Sequence, residues 1–207
     1  MSSPAPDVLD KRALRRQLRR QRRALSPRQQ KRASHRLAAH LAALPELRRA
    51  RRLSLYLSVQ GEIDPLALLP WLRRRRVAVY LPVLRPFTDN RLWFVRFDAD
   101  TPMVKNRFGI PEPHPRFGAR ARNRLPAWAL DTLIVPLVGF DKNANRMGMG
   151  GGFYDRTLAF MRRPYGPKPA LIGVAHELQK VDCLPLEPWD VPLSAVATDE
   201  AIYRARA

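Results

Sequence analysis

"DTLIVPLVGFDKNANRMGMGGGFYDR", residues 131–156, joins a nearly continuous apolar run to a cluster of glycines and then to the start of an amphipathic segment. The run 131–140 reads as one strand covered on both faces, since only two-sided burial leaves so few polar positions. Glycine loses more backbone freedom on folding than any other residue, so four of them within 148–152 need a reason. A flexible connector, a set of tight turns and a cradle where backbone approaches a ligand would each supply one. A helix is expected over about 154–162, so the glycines sit between a buried strand and a helix. In open α/β sheets that is where ligands bind, beyond the carboxyl ends of the strands.

Outward from this unit the chain repeats the same grammar. "LSLYLSV" (53–59) alternates Leu53, Leu55, Leu57 and Val59 with Ser54, Tyr56 and Ser58, the period of a strand. Asp64 and Pro65 open a helix that runs through Trp71 and Leu72, with Pro70 making its end irregular. Further strands are predicted at "VAVYLPVL" (77–84), "LWFVRF" (92–97), after a turn rich in Pro, Asp and Asn, and "ALIGVA" (170–175), with "AVAT" (195–198) as an edge strand. At the N-terminal end, Leu14, Leu18 and Leu25 can share one helical face. Ser26, Pro27 and Gln29 then form a capping box that starts a second helix carrying Ala33, Leu37, Leu41 and Leu44. The expected fold is therefore α/β: a mainly parallel central sheet flanked by helices on both faces, with two N-terminal helices packed on the body. One domain is expected over 1–207, with 1–10 flexible and 11–45 forming the N-terminal helices.

The charge is strongly positive: 38 basic against 18 acidic residues give +20, and 32 of the 38 are Arg. Residues 11–36 hold twelve basic residues and no acidic one. Such a field attracts anions, including nucleic acid, headgroups and phosphorylated or polycarboxylate small molecules. Nucleic acid is disfavoured, because no recognised nucleic-acid motif appears and the basic tract lacks stacking aromatics. No apolar run reaches the roughly 18–20 residues of a membrane span, and the polar start "MSSPAPDVLD" does not resemble a secretory signal. The single Cys183 excludes an internal disulfide and a multi-cysteine metal site. A cytoplasmic monomer is the expectation.

The company of the glycines favours a cradle over a linker or a bare turn. Successive backbone N–H groups can converge on one anion, and the following helix N-terminus adds partial positive charge. Arg146 can make a bidentate contact with phosphate. Asp155 falls in the first helical turn, where capping is the ordinary role of an acid. Beside a phosphate, however, its charge calls for a cation in between, and Mg²⁺ held by carboxylate and phosphate oxygens supplies one. No Gly-Lys-Ser/Thr closes the loop and no dinucleotide fingerprint is present. The residues by themselves reach a nucleotide or phosphate cradle with Mg²⁺.

"VPLVGFDKNANRMGMGGGFYDRTL" also resembles the signature of the 5-formyltetrahydrofolate cyclo-ligases. "KRALR", "YLSVQGEID", "FGIPEP" and "LPLEPWD" resemble the family's other landmarks, in its order, from residue 11 to about 199. The resemblance implies an enzyme that converts 5-formyltetrahydrofolate and MgATP to 5,10-methenyltetrahydrofolate, ADP and phosphate, through a phosphorylated formyl (imidate) intermediate. It implies that Arg146 and Tyr154 are catalytic. ATP would be held by Lys11, Arg15, Arg146, Met147, Gly148, Met149, Gly150, Gly151, Gly152, Phe153 and Tyr154. Folate would meet Leu57, Glu62, Met149, Gly150, Gly151, Gly152 and Phe153, with Phe108 and Ile110 either walling the pterin pocket or anchoring their loop. Asp155 and Asp190 would bind Mg²⁺. Several positions depart from the family pattern. Ala144 stands for the usual Gly, which implies a turn without a strongly positive φ. Met149 lacks any stacking or charge role, Phe153 lacks a hydroxyl, and Trp189 precedes Asp190 where His is common.

Overall fold

The computed structural model describes residues 10–85, 90–185, 187 and 189–205. Most of the opening segment expected to be flexible, 1–9, lies outside them, as do residues 86–89 of the turn predicted after 77–84.

The N-terminal region folds into α1 (Lys11–Arg23), α2 (Pro27–Ala43) and the short α3 (Pro45–Arg49). The α2 start is the predicted one. The Ser26 side chain accepts from the Gln29 N–H, and Gln29 returns a bond to the Ser26 backbone. Leu25 falls beyond the end of α1 and is not part of its apolar face. After α3 come β1 (Arg52–Ser54), α4 (Leu69–Arg74), β2 (Ala78–Leu84), β3 (Leu92–Arg96), the hairpin β4 (Met103–Lys105) and β5 (Pro111–Pro113), α5 (Pro115–Gly118) and β6 (Arg124–Leu125). The chain then forms β7 (Thr132–Pro136), β8 (Gly139–Asp141), β9 (Arg146–Met147), α6 (Phe153–Thr157), β10 (Ala170–Val174), β11 (Lys180–Val181), β12 (Ala195–Ala197) and β13 (Ile202–Arg204).

Eight strands form the central sheet in the order β13-β12-β10-β7-β1-β2-β3-β6. The neighbouring pairs from β12 through β2 are all parallel, and antiparallel strands close both sides. The strand period of two sorts the buried residues onto two faces. Val79, Leu81, Ile134, Ile172, Ala195 and Ala197 join one core with Leu37 and Leu41 of α2, Leu47 of α3 and Leu72 of α4. Tyr80, Leu133, Val135, Leu171 and Val196 join the other, covered by Ala127, Leu130, Leu158 and the partly buried Tyr154 and Phe160. Helical cover is thus long on one side and made of short turns on the other. Each fully buried leucine contributes on the order of 2 kcal/mol by leaving water.

Five sequence expectations change in detail. The helix expected over about 154–162 is the short α6, which stops at Thr157, followed by a separate 3-10 turn at Ala159–Arg162. The run 131–140 is two strands: β7 pairs in the central sheet, while β8 turns away into a three-stranded sheet ordered β11-β8-β9. Apolarity does not reveal the break, because β8 is also fully buried. Only Arg52–Ser54 of the run 53–59 pairs as strand; the rest departs toward the Gln60–Glu62 turn. Pro70 occupies the first turn of α4, where its missing N–H has no helical acceptor to lose, and follows a 3-10 turn at Pro65–Leu68. The strand near 195–198 is not at the edge, since β13 pairs outside it.

Candidate functional site

The packing of α1 is set by Leu18. Leu18 inserts against Val138, Met147 and Leu184, with Leu14 and Val181 alongside, so the helix lies over the small β11-β8-β9 sheet. Gly139 permits the close approach, since a Cβ there would stand 2.7 Å from Leu18 Cδ1. The contact side of α1 therefore carries Lys11, Arg15, Leu18 and Arg22, spaced four, three and four residues apart, which is one helical stripe.

Each cation on that stripe meets a different segment. Lys11 Nζ bonds Glu187 Oε1 at 2.6 Å, and the Glu187 N–H donates to Asp190 Oδ2 at 2.9 Å. Arg15 Nε donates to the Gly148 carbonyl at 2.9 Å. Helix α1, the glycine loop and the segment around Asp190 are therefore linked by direct bonds. Met147, on β9, is buried against α1.

The glycine loop has the backbone that a cradle needs. Gly150 and Gly152 take φ of +92° and +65°, a region where side chains are strained. A Cβ on Gly152 would stand 2.6 Å from Arg156, whereas Gly148 faces open space. At Gly151 an added methyl would meet the Phe153 ring at 2.9 Å, so the closest neighbour of that position is a side chain of its own loop. Asn90 Nδ2 donates to the Gly151 carbonyl at 3.3 Å, and Arg156 donates to the same oxygen. Phe153 meets Phe108 edge to face at 6.3 Å between centroids, which brings "FGIPEP" to the loop, with Ile110 half-buried there. Phe108 and Met149 stay largely exposed at 56% and 50%. Phe153 also walls a cleft of about 830 Å³, lined by Trp93, Arg85, Arg91, Arg107 and Arg124 among others. The guanidinium carbons of Arg85 and Arg124 stand 4.7 and 4.2 Å from the Trp93 ring centroid.

Arg146 and Asp155 are ion-paired to one another, with 8% and 30% of their side chains exposed. The two residues that the sequence reading aimed at phosphate and at metal thus neutralise each other here. Among the described residues no group of three or more His, Cys, Asp or Glu forms a metal site. Mg²⁺ uses one or two carboxylates plus phosphate oxygens rather than a full protein cage, so the hard oxygen donors of Asp155 and Asp190 suit it.

The turn Gln60–Glu62 carries Glu62, the carboxylate expected to meet folate. Gln60 (φ +53°) and Gly61 (φ +77°) are both left-handed, an uncommon pair held by many contacts. Arg22, with no exposed surface, donates to the Gln60 carbonyl at 3.2 Å, the Leu137 carbonyl at 3.2 Å and Glu62 Oε1 at 3.4 Å. Glu62 Oε2 accepts from the Val59 N–H at 3.2 Å. His176, also buried, has Nε2 3.2 Å from the Gly61 carbonyl; a carbonyl only accepts, so that nitrogen carries the proton. Gln179 Nε2 donates to the Leu137 and Val138 carbonyls, at 2.9 Å each.

Burial raises the Glu62 pKa, and Arg22 works against it. Burial likewise disfavours the Arg22 cation, which Glu62 favours. Burial and the Glu62 charge push the Tyr154 phenol above its ordinary range, so it is a proton-bearing donor at neutral pH. Tyr56 is raised in the same way and gives its hydroxyl to the Ile63 carbonyl at 2.5 Å. Leu57 is partly buried against the larger core beside this turn.

Sequence reading missed Arg22, His176, Gln179 and Asp141. Asp141 is fully buried, and its carboxylate accepts from the N–H groups of Asn143, Asn145 and Leu184 and from Asn145 Nδ2. It shapes the turn before Arg146, and "DKNAN" carried the signal of an Asx turn. Within that turn Ala144 has φ +62°, contrary to the expectation that Ala excludes a positive φ there. The Asp141 bonds and burial of the Ala144 methyl hold it, against a left-handed cost of about 1–2 kcal/mol. Arg22 offered no such signal, being one arginine among many.

A sequence profile of the 5-formyltetrahydrofolate cyclo-ligase family matches residues 7–199. The 5-formyltetrahydrofolate cyclo-ligase of Haemophilus influenzae is 45% identical over 181 residues, 87% of this chain and 92% of that protein. The enzyme of the same name from Escherichia coli K12 is 41% identical over 186 residues, 90% and 98% of the two chains. The structure of Aquifex aeolicus 5,10-methenyltetrahydrofolate synthetase superposes with a TM-score of 0.77 at 28% identity, covering 95% of this chain and 93% of that one.

Proposed function

This chain belongs to the 5-formyltetrahydrofolate cyclo-ligase family of enzymes, and we propose that it converts 5-formyltetrahydrofolate to 5,10-methenyltetrahydrofolate at the expense of ATP with Mg²⁺. The observation that carries this reading is the convergence of Arg15 from α1 on the Gly148 carbonyl, with Lys11 reaching the Asp190 segment and Arg146 beside Asp155. A nucleotide triphosphate satisfies all three cations at once, and the turned glycine backbone leaves room for its phosphates.

In this reading the phosphates lie along the loop from Met147 to Tyr154, contacted by Lys11, Arg15 and Arg146. Arg146 exchanges Asp155 for phosphate. Asp155 and Asp190 then hold Mg²⁺, which would supply charge neutralisation at the phosphates. Folate approaches from the other side of the loop. Met149 and Phe153 touch it, Leu57 supports the turn, and Glu62 accepts hydrogen bonds from the pterin. The cleft next to Phe153 takes the aromatic and carboxylate part of the substrate, where four arginines suit an anionic tail.

The formyl oxygen attacks the γ-phosphorus, forming an O–P bond as the bond to the ADP oxygen breaks. N10 then adds to the activated carbon to close the ring, and the carbon–oxygen bond breaks as phosphate leaves with the former formyl oxygen and the proton given up by N10. Such phosphoryl transfer asks the protein for positioning and charge stabilisation rather than a nucleophile. Tyr154 keeps its proton and can donate to an oxygen that gains negative charge. The test is direct. Purified protein with 5-formyltetrahydrofolate and MgATP should give the absorbance of the methenyl product together with ADP. No product, alongside salt-sensitive RNA binding, would overturn the reading.

A further inference from the structure

Glu62 is not positioned by its own turn alone. Two adjacent left-handed residues precede it, and such a turn keeps its shape only when its surroundings over-determine it. The backbone leaving Glu62 is tied as well, since the Asp64 N–H donates to Ser34 Oγ at 3.2 Å. Most of the remaining ties run to α1. Arg19 donates to Gln60 Oε1 at 2.6 Å, and Gln30 Nε2 bridges the Arg22 carbonyl at 3.0 Å and the Gly61 carbonyl at 3.3 Å. A Cβ on Gly61 would stand 2.9 Å from the Arg22 carbonyl oxygen, so helix end and turn touch backbone to backbone.

We propose that Arg22 is a positioning residue for the substrate, acting through Glu62: its fork holds the carboxylate, the Gln60 carbonyl and the end of β7 in one frame. The inference rests on the reading of Glu62 as the carboxylate that meets folate. Arg22 itself lies fully inside the protein, so it reaches the substrate only through Glu62. Its three bonds go to three separate atoms, one at the end of the strand and two in the turn. A lysine keeps the charge but cannot make all three bonds in that geometry. Glu62 is faced by Arg22 and Arg19 as cations and by the phenols of Tyr56 and Tyr154. Removing Arg22 therefore takes away the nearest counter-charge and leaves a buried carboxylate beside two weak acids.

The test compares Arg22→Met, Arg22→Lys and Glu62→Gln in steady-state kinetics, varying each substrate with the other saturating, with unfolding midpoints measured on the same preparations. Arg22→Met should raise KM for 5-formyltetrahydrofolate roughly tenfold or more while KM for ATP stays within about twofold. Arg22→Lys should recover part of that loss. The acid limb of kcat/KM for the folate should move to higher pH in Arg22→Met, because the carboxylate protonates more easily without its cation. Equal rises in both KM values, or none, would assign Arg22 to stability alone and overturn the inference. If Arg22→Met does not fold, Arg22→Lys decides: a raised folate KM with an unchanged ATP KM supports the role, and an unchanged folate KM overturns it. Glu62→Gln separates the two levels. Should it leave the folate KM unchanged, the reading of Glu62 fails and this inference with it. Should it raise that KM while both Arg22 variants match wild type, only the role of Arg22 fails.

Discussion

Gly61→Ala should be among the most damaging single-methyl changes in this protein, and Gly109→Ala supplies its control. Both glycines are left-handed, at φ +77° and +74°. At Gly109 an added Cβ meets nothing within 4 Å; at Gly61 it meets the Arg22 carbonyl oxygen at 2.9 Å, the Arg22 carbonyl carbon at 3.2 Å and Arg23 Cα at 3.2 Å. A left-handed alanine costs about 1–2 kcal/mol, offset by about 0.4–1 kcal/mol from the stiffer unfolded chain. Gly109→Ala should therefore destabilise by about 0–1.6 kcal/mol. Gly61→Ala carries the same balance plus an overpacking cost of about 1–3 kcal/mol, since backbone on a helix cannot swing aside as a side chain can. The expected loss is about 1–4.5 kcal/mol, read by urea unfolding at unchanged m-value. A difference between the two variants below about 0.5 kcal/mol would refute the argument that the turn and α1 are locked by backbone contact.

Asp155→Asn should still fold, with an unfolding midpoint lowered by loss of the Arg146 ion pair, and lose most turnover; near-wild-type turnover would remove Asp155 from the proposed metal and phosphate site. His176 gives a pH prediction. Burial lowers its pKa from the ordinary 6.5, with Asp199 and the Gly61 carbonyl pulling it up and Arg22 pushing it down. The unfolded chain therefore binds that proton first as pH falls, and stability should drop from about 6.5 down through the lowered folded value. In His176→Gln this part of the acid loss should vanish in urea titrations at pH 7 and pH 5; an identical loss in both proteins would rule it out.

The strands β1, β2, β3, β7, β10 and β12 were legible because alternation and two-sided apolarity are written residue by residue, whereas the short β4, β5, β6, β9, β11 and β13 carry too few residues to show either pattern. Val79, Tyr80 and Leu81 alternate between the two cores as their period requires. The capping box at Ser26 was legible because it needs only four neighbouring residues. The sharp turns of the glycine loop were legible through its density of glycine, and Gly150 and Gly152 do take left-handed backbone. The division of 131–140 into β7 and β8 was not, because a strand that leaves one sheet for another stays buried throughout. Ala144 misled for a related reason: a side chain's preference is local, but the bonds from Asp141 that override it depend on the folded turn.

The sequence by itself determined the α/β class, the helix start at Ser26 and the turn-rich glycine loop after the buried strand, since each depends on short-range spacing along the chain. Only the tertiary structure decided that Arg146 rests on Asp155, that Lys11 reaches Glu187, and that one arginine of a basic helix is buried against Glu62. The partners in the last two cases lie 176 and 40 residues apart. In a tract of twelve basic residues the sequence marks none as special. Burial against a carboxylate singles out Arg22, because the packing of Leu18 on the small sheet fixes which face of α1 turns inward.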